Sequence, residues 1–223
     1  MGLKESGLRA SLRNVSTGVI AIPDSDLYYL INEESGDTVF DEIGSNDADS
    51  RGTLVWVEAD VGHGYYVELD SQNALQVSDL GIIDLSGEFS IGVEIFVTEP
   101  LPRGCIFEWG DGSDDFSLGS QNDGRIGVDN DTSTSSGDPR HDEPNTPYNV
   151  NLVVTHDDNQ EFELYMDEVE SIADDGSAFD SNAAGFSIGS SNDPADDRGI
   201  DGNGVARFAV WEDEAIDPSE FTL

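Results

Sequence analysis

Hydrophobic and polar residues alternate with a period of two along several short runs of the chain, and no long run has a helical period. In the run 90–98 every second residue is a β-branched aliphatic side chain. The runs 148–156 and 162–166 alternate in the same way across a short polar segment, which predicts a hairpin. The run 205–211 predicts a closing strand. Strands that recur between Gly, Asp, Asn and Ser turns predict an all-β, two-sheet antiparallel sandwich of the jelly-roll kind.

Seven segments in a fixed order resemble the laminin-G-like jelly roll of the concanavalin A-like lectin/glucanase superfamily. They are residues 27–48, 65–70, 84–97, 106–128, 148–169, 185–191 and 201–221. The resemblance implies a concanavalin A-like domain over residues 24–223, with residues 1–23 as a separate N-terminal arm. Members of this superfamily include lectins, adhesion modules, glycosidases and attachment domains, so the function has to be argued from sites.

The charge of the chain is extreme. Nine Lys and Arg residues stand against 48 Asp and Glu residues, which gives a formal net charge of −39. Such a surface excludes general binding to nucleic acid or to anionic membranes, because both require a basic face. Lys4 is the single lysine. At molar salt the Debye length falls to about 3 Å, which screens the self-repulsion. The composition therefore predicts a protein of a halophile, with an acidic protein from an ordinary cell as the alternative.

Residues 1–23 carry three basic side chains and one acidic side chain, unlike the rest of the chain. Three apolar residues at i, i+4 and i+7 would form a stripe if this segment were helical. We expect an arm that docks on a partner, with a frayed terminus as the alternative. The expected docking residues are Lys4, Leu8, Arg9, Leu12, Arg13 and Val15. The segment 7–19 is also similar to the N-termini of tail and particle-surface proteins of haloarchaeal tailed viruses.

A sugar site combines an aromatic platform with polar side chains on a loop or concave face. Loop 129–147 is unusually long, which is typical of functional loops. The candidate glycan-binding residues are Trp109, Asp111, His141 and Tyr148. The alternative is that the three tryptophans, Trp56, Trp109 and Trp211, are core residues.

Calcium is a candidate cofactor, because laminin-G-like modules often hold Ca²⁺ in their loops and the ion requires six to eight oxygen ligands. The candidate metal residues are Asp41, Asn46, Asp47 and Asp49. A second Asp-rich loop lies at 111–115. The alternative is that these loops are simply solvated acidic turns.

The sequence does not favour an enzyme. The superfamily's glucanases carry Glu-x-Asp-x-x-Glu on one strand, and this run is absent here. The histidines also lack zinc spacing, and none has an evident nucleophile beside it.

The N-terminus lacks the unbroken apolar run of a secretory signal, whereas laminin-G-like modules ordinarily work outside cells. Both observations fit a component of a virus particle, because such a component is made in the cytoplasm and reaches the outside when the cell lyses. The expectation is a non-enzymatic virion surface protein of a halophilic archaeal virus, made in a high-salt host cytoplasm and carried on the capsid or tail. The arm would dock it on other virion proteins, and homo-oligomers would present the lectin-like domain to host surface glycans. The alternatives are a soluble haloarchaeal carbohydrate-binding protein and, less favoured, a glycosidase.

Overall fold

The computed structural model describes residues 24–59, 64–70, 72–77, 85, 87–98, 101–110, 116–120, 125–129, 134–136, 148–157, 162–174, 185–191 and 199–221. Within these ranges the regular structure is strand apart from one short 3-10 helix at Pro218–Glu220. In chain order the strands are β1 (Leu27–Leu30), β2 (Thr38–Val39), β3 (Ala48–Arg51), β4 (Val55–Glu58), β5 (Tyr65–Leu69), β6 (Ala74–Val77), β7 (Phe89–Val97), β8 (Gly104–Trp109), β9 (Phe116–Ser120), β10 (Ile126–Asp129), β11 (Thr134–Ser136), β12 (Tyr148–His156), β13 (Phe162–Met166), β14 (Val169–Asp174), β15 (Phe186–Ile188) and β16 (Asn203–Glu212).

The strands form two sheets whose assigned pairs are antiparallel. The first sheet has the order β14-β13-β12-β7-β16-β5-β4, and β1 also pairs with β16. The second sheet has the order β11-β10-β9-β8-β15-β6-β3-β2. This architecture confirms the predicted all-β two-sheet sandwich. Among the described residues no helix is both long and apolar enough to cross a membrane.

The core lies between the two sheets and is filled by the apolar side chains that alternate along each strand. In β7, Ile91, Val93 and Ile95 are at most 1% exposed. Across the gap, Phe107 of β8 packs on Phe208 of β16, with ring centroids 5.2 Å apart. Alternation places the intervening residues on the outer faces, which are the surfaces available for recognition.

The predicted hairpin is confirmed, because β12 and β13 pair from Leu152 opposite Met166 to His156 opposite Phe162. The next hairpin turns at Asp167 and Glu168, which both have positive φ. Two consecutive residues with positive φ match the twist that a two-residue hairpin turn requires.

The C-terminal segment 213–221 covers part of the first sheet's outer face. Phe221 packs so closely over Gly92 that a Cβ there would lie 2.7 Å from the ring. Beneath it, buried Arg207 donates to Glu94 Oε2 at 2.6 Å and to the Phe221 carbonyl at 2.9 Å. Arg207 also donates to Asn151 Oδ1 at 3.1 Å. This network fixes the C-terminal segment, because a buried guanidinium needs its donors paired.

The N-terminal arm of residues 1–23 lies outside the described residues, so its boundary and its docking residues stay predictions.

Candidate functional site

The sequence-predicted glycan residues do not come together as an exposed site. Trp109 is fully buried and stacks on Phe186, with ring centroids 5.6 Å apart. The expectation of a sugar platform at Trp109 is corrected, because β8 lies inside its sheet and its inward side chains meet the core. Tyr148 begins β12 opposite Val97. Asp111 and His141 lie outside the described residues.

The four predicted calcium ligands lie in or beside one loop, and their hydrogen bonds close that loop. Asp41 is 8% exposed, and its carboxylate accepts the backbone N–H groups of Tyr28 and Ile43 (both 3.3 Å) and of Asn46 (3.2 Å). Asp47 Oδ1 accepts the N–H of Asp41 at 3.0 Å.

The fourth residue, Asp49, accepts the Thr38 hydroxyl at 3.0 Å. In the described part of the chain no three His, Cys, Asp or Glu side chains converge as metal ligands would. Asp41, Asp47 and Asp49 thus accept hydrogen bonds from the loop and its neighbouring strand, and calcium binding at these residues stays a prediction. Calcium binding at the loop 111–115, outside the described residues, stays a prediction.

One row of polar residues crosses the second sheet in register on the face away from the core. The described cross-strand pairs of this row run from β2 to β9 without a break. The row consists of Thr38, Asp49, Gln76, Ser187, Glu108 and Ser117.

The segment 189–191 covers the middle of this polar face. Ser191 donates to Glu108 Oε1 at 3.1 Å, and Arg51 donates to Ser191 O at 2.9 Å and to Ser190 Oγ at 2.6 Å. Glu108 is 4% exposed as a result. Arg51 and Glu108, which the sequence did not single out, are therefore anchors of the segment 189–191.

An aromatic pair remains partly exposed at the other sheet. Trp56 lies on β4, the edge strand of the first sheet, and rests against the core without being fully buried. Tyr65 lies diagonally across from it on β5, because Trp56 pairs with Val67 and Glu58 pairs with Tyr65. Alternation puts these side chains on the same face, within the reach of aromatic rings.

The loop after β1 completes this site. The Trp56 indole N–H donates to the Gly36 carbonyl at 2.9 Å, which fixes the orientation of the ring. Glu33 holds the loop by accepting the backbone N–H groups of Asn32 and Phe40, both at 3.1 Å. Gly36 has φ +108°, and a Cβ there would meet nothing within 4 Å, so the space beside it is open.

Two exposed carboxylates flank the pair. The charge of Glu34, followed by partial desolvation and the charge of Glu58, raises the pKa of Tyr65 above its ordinary value. Glu58 pairs directly with Tyr65, and Glu34 belongs to the loop whose Gly36 carbonyl accepts the Trp56 indole N–H. We call Trp56, Tyr65, Glu34, Glu58 and Gly36 together the aromatic edge.

The aromatic edge joins two chemistries that sugar recognition uses. Aromatic faces contact the C–H surface of a sugar ring, and carboxylate oxygens accept hydrogen bonds from its hydroxyl groups. From the sequence, Trp56 is expected only as a core residue, and Tyr65 is not among the residues expected to bind sugar. The signal that could have found them is the short run 55–58 between glycine-containing turns, because a short strand is typical of a sheet edge.

A scan against models of known protein families gives no match for this chain, and a search of curated proteins gives none either. Solved structures share the fold. Domain 4 of AbnA, a GH43 extracellular arabinanase from Geobacillus stearothermophilus solved with arabinotriose, superposes with a TM-score of 0.67 at 17% identity, and the match covers 90% of this chain and 97% of that domain.

Two larger proteins contain a similar domain. A botulinum neurotoxin type C structure, described in terms of cell entry through two ganglioside molecules, matches with a TM-score of 0.65 at 15% identity over 89% of this chain and 50% of that one. Trypanosoma rangeli sialidase matches with a TM-score of 0.64 at 13% identity over 88% of this chain and 32% of that one. At these identities the likeness shows the β-sandwich fold.

Proposed function

We propose that this chain is a carbohydrate-binding, lectin-like domain without catalytic activity, and that the aromatic edge contacts the sugar. The observation that carries the proposal is the partly exposed pair of Trp56 and Tyr65, flanked by two exposed carboxylates and open space. The AbnA domain, which was solved with arabinotriose, supports it by analogy of fold.

A glycan-binding screen in high salt tests the proposal. Trp56→Ala is expected to reduce binding about tenfold, since stacking on an aromatic ring supplies about 1–2 kcal/mol. Val55→Ala is the matched control, because Val55 is 45% exposed on the opposite face of the same strand. Equal binding by both variants would place the sugar elsewhere.

The non-enzymatic part of the proposal has its own test. Glu34 and Glu58 are exposed, whereas the general acid of a glycosidase is usually set in a water-poor pocket. Incubation with candidate polysaccharides should release no reducing ends. If the chain did release reducing ends and the Glu34→Gln variant did not, a glycosidase would be favoured instead.

The finer proposal is a virion surface role in a halophilic archaeal virus. It is supported by the acidic composition and by the basic arm of residues 1–23. Mass spectrometry of particles purified on a high-salt gradient should find tens of copies per particle or more. Removal of residues 1–20 should abolish incorporation while the circular dichroism spectrum of the domain stays unchanged. Detection only in the soluble cell fraction would favour the cellular carbohydrate-binding alternative.

A further inference from the structure

We infer that the aromatic edge accepts uncharged sugars and rejects anionic ones, such as sialic and uronic acids. The inference rests on the proposed function and names the ligand class that this site would select.

The first argument is the sign of the charge at the site. Glu58 lies directly opposite Tyr65 in the β4-β5 pair, and Glu34 lies in the loop after β1, which the Trp56 indole N–H contacts at Gly36. Both carboxylates disfavour ionisation of the Tyr65 hydroxyl. A ligand carboxylate placed beside that hydroxyl would meet the same repulsion, because the field acts on any anion at that position.

The second argument is the position of the basic groups. In the described part of the chain, these are Arg51, Arg103, Arg125 and Arg207. Arg207 is buried against Glu94 on the first sheet, and Arg51 donates to Ser190 and Ser191 on the outer face of the second sheet. Neither guanidinium is placed to neutralise an anion at the aromatic edge.

The other two guanidinium groups belong to distant strands. Arg103 and Arg125 directly precede β8 and β10, which lie four and six strands from the β2 edge of their sheet. At a strand spacing of about 4.8 Å these separations are about 19 and 29 Å. The strand β2 directly follows the loop that carries Glu34 and Gly36, so at physiological salt both arginines lie more than a Debye length from that loop and would not attract an anion to it.

The third argument is hydrogen bonding, which salt does not screen. A carboxylate can only accept hydrogen bonds, so Glu34 and Glu58 require donors from the ligand. Sugar hydroxyl groups supply these donors. A sialic or uronic carboxylate in the same place is itself only an acceptor, so no hydrogen bond would form between it and the glutamate. Selectivity against anions should therefore persist at molar salt. Beside Gly36 and Gly64 a Cβ would meet no described atom within 4 Å, so the described part of the site leaves room for a ring.

The test is isothermal titration of the full chain in high-salt buffer with matched probes. Lactose and arabinotriose are the neutral probes, and sialyllactose and a galacturonic acid trisaccharide are the anionic probes. The dissociation constant of a neutral probe should be lower than that of its anionic counterpart by about tenfold or more. Trp56→Ala should weaken neutral binding about tenfold, and Tyr65→Ala serves as a second variant on an exposed ring. Glu34→Gln with Glu58→Gln should reduce the ratio of the anionic to the neutral dissociation constant by tenfold or more.

Each outcome separates the inference from the proposed function. Trp56-dependent binding of sialyllactose that equals or exceeds that of lactose would overturn the selectivity and leave carbohydrate binding intact. Neutral binding that both ring variants retain would overturn the site. If neither these probes nor a broader glycan panel bound, the proposed function and the inference would fail together.

Discussion

Replacement of Arg207 by Met should destabilise the domain more than most single substitutions, because it strands a buried charge. Arg207 is 1% exposed and Glu94 is 3% exposed, and their atoms Nε and Oε2 lie 2.6 Å apart. The substitution leaves the Glu94 carboxylate with the Asn149 amide at 2.7 Å but without a cation. It also removes the donors to Asn151 and to the Phe221 carbonyl.

The magnitude follows from these contacts. Removal of one partner of a buried ion pair costs about 3–5 kcal/mol. For a chain of this size, 1 kcal/mol lowers the melting temperature by about 2–4 °C, so Arg207→Met should lower it by about 6–20 °C. Glu94→Leu in the same chain should recover most of the loss, because an apolar pair of similar volume leaves no unpaired charge.

The assay is a double-mutant cycle of Arg207→Met and Glu94→Gln by chemical unfolding at two high salt concentrations. Because the pair is buried, salt should not screen it, and the coupling energy should be the same at both concentrations. Arg51→Met is the matched control, since Arg51 is partly exposed and donates to neutral serines, and about 1 kcal/mol is expected there. A loss below about 1 kcal/mol for Arg207→Met, or a coupling that declines with salt as in exposed pairs, would refute the reasoning.

Four further predictions follow from the same contacts and charges. Burial, together with the charges of Asp41 and Asp47, raises the pKa of Tyr29, so the unfolded chain loses its tyrosine proton first as the pH rises. Stability should be intact below about pH 10 and fall above it by up to about 1.4 kcal/mol per pH unit from this residue, and an equally steep alkaline decline in Tyr29→Phe would contradict this. Asp41→Ala should cost about 1–3 kcal/mol equally with calcium and with chelator, because the carboxylate accepts backbone N–H groups; a calcium-dependent loss of melting temperature would instead support the predicted calcium site. Gly104→Ala should lower the free energy of unfolding by about 1–3 kcal/mol, since its Cβ would lie 2.0 Å from the Gly199 carbonyl oxygen. An unchanged melting temperature would show that the backbone moves to accommodate the methyl group. Dialysis to low salt should unfold the chain because its net charge of −39 is then unscreened, and an unchanged far-ultraviolet spectrum would exclude a halophilic requirement.

The alternation of apolar residues by itself determined the strands and the class of fold. The β12-β13 hairpin and the long strands β7 and β16 lie where the period of two predicts them, because in a strand that period decides which side chains enter the core. The charge of the chain likewise argues against nucleic acid and anionic membranes as partners without any structure, because net charge does not depend on how the chain folds.

The exposed site was decided by tertiary structure. Trp109 and Trp56 both lie in short apolar runs, yet β8 is an interior strand with both faces covered and β4 is an edge strand. Strand order depends on pairings between distant residues, which local periodicity does not encode. In the same way Arg207 meets Glu94 across 113 residues. The contact between Arg207 and Glu94 and the exposure of Trp56 both arise only when the strands are assembled into the sheet.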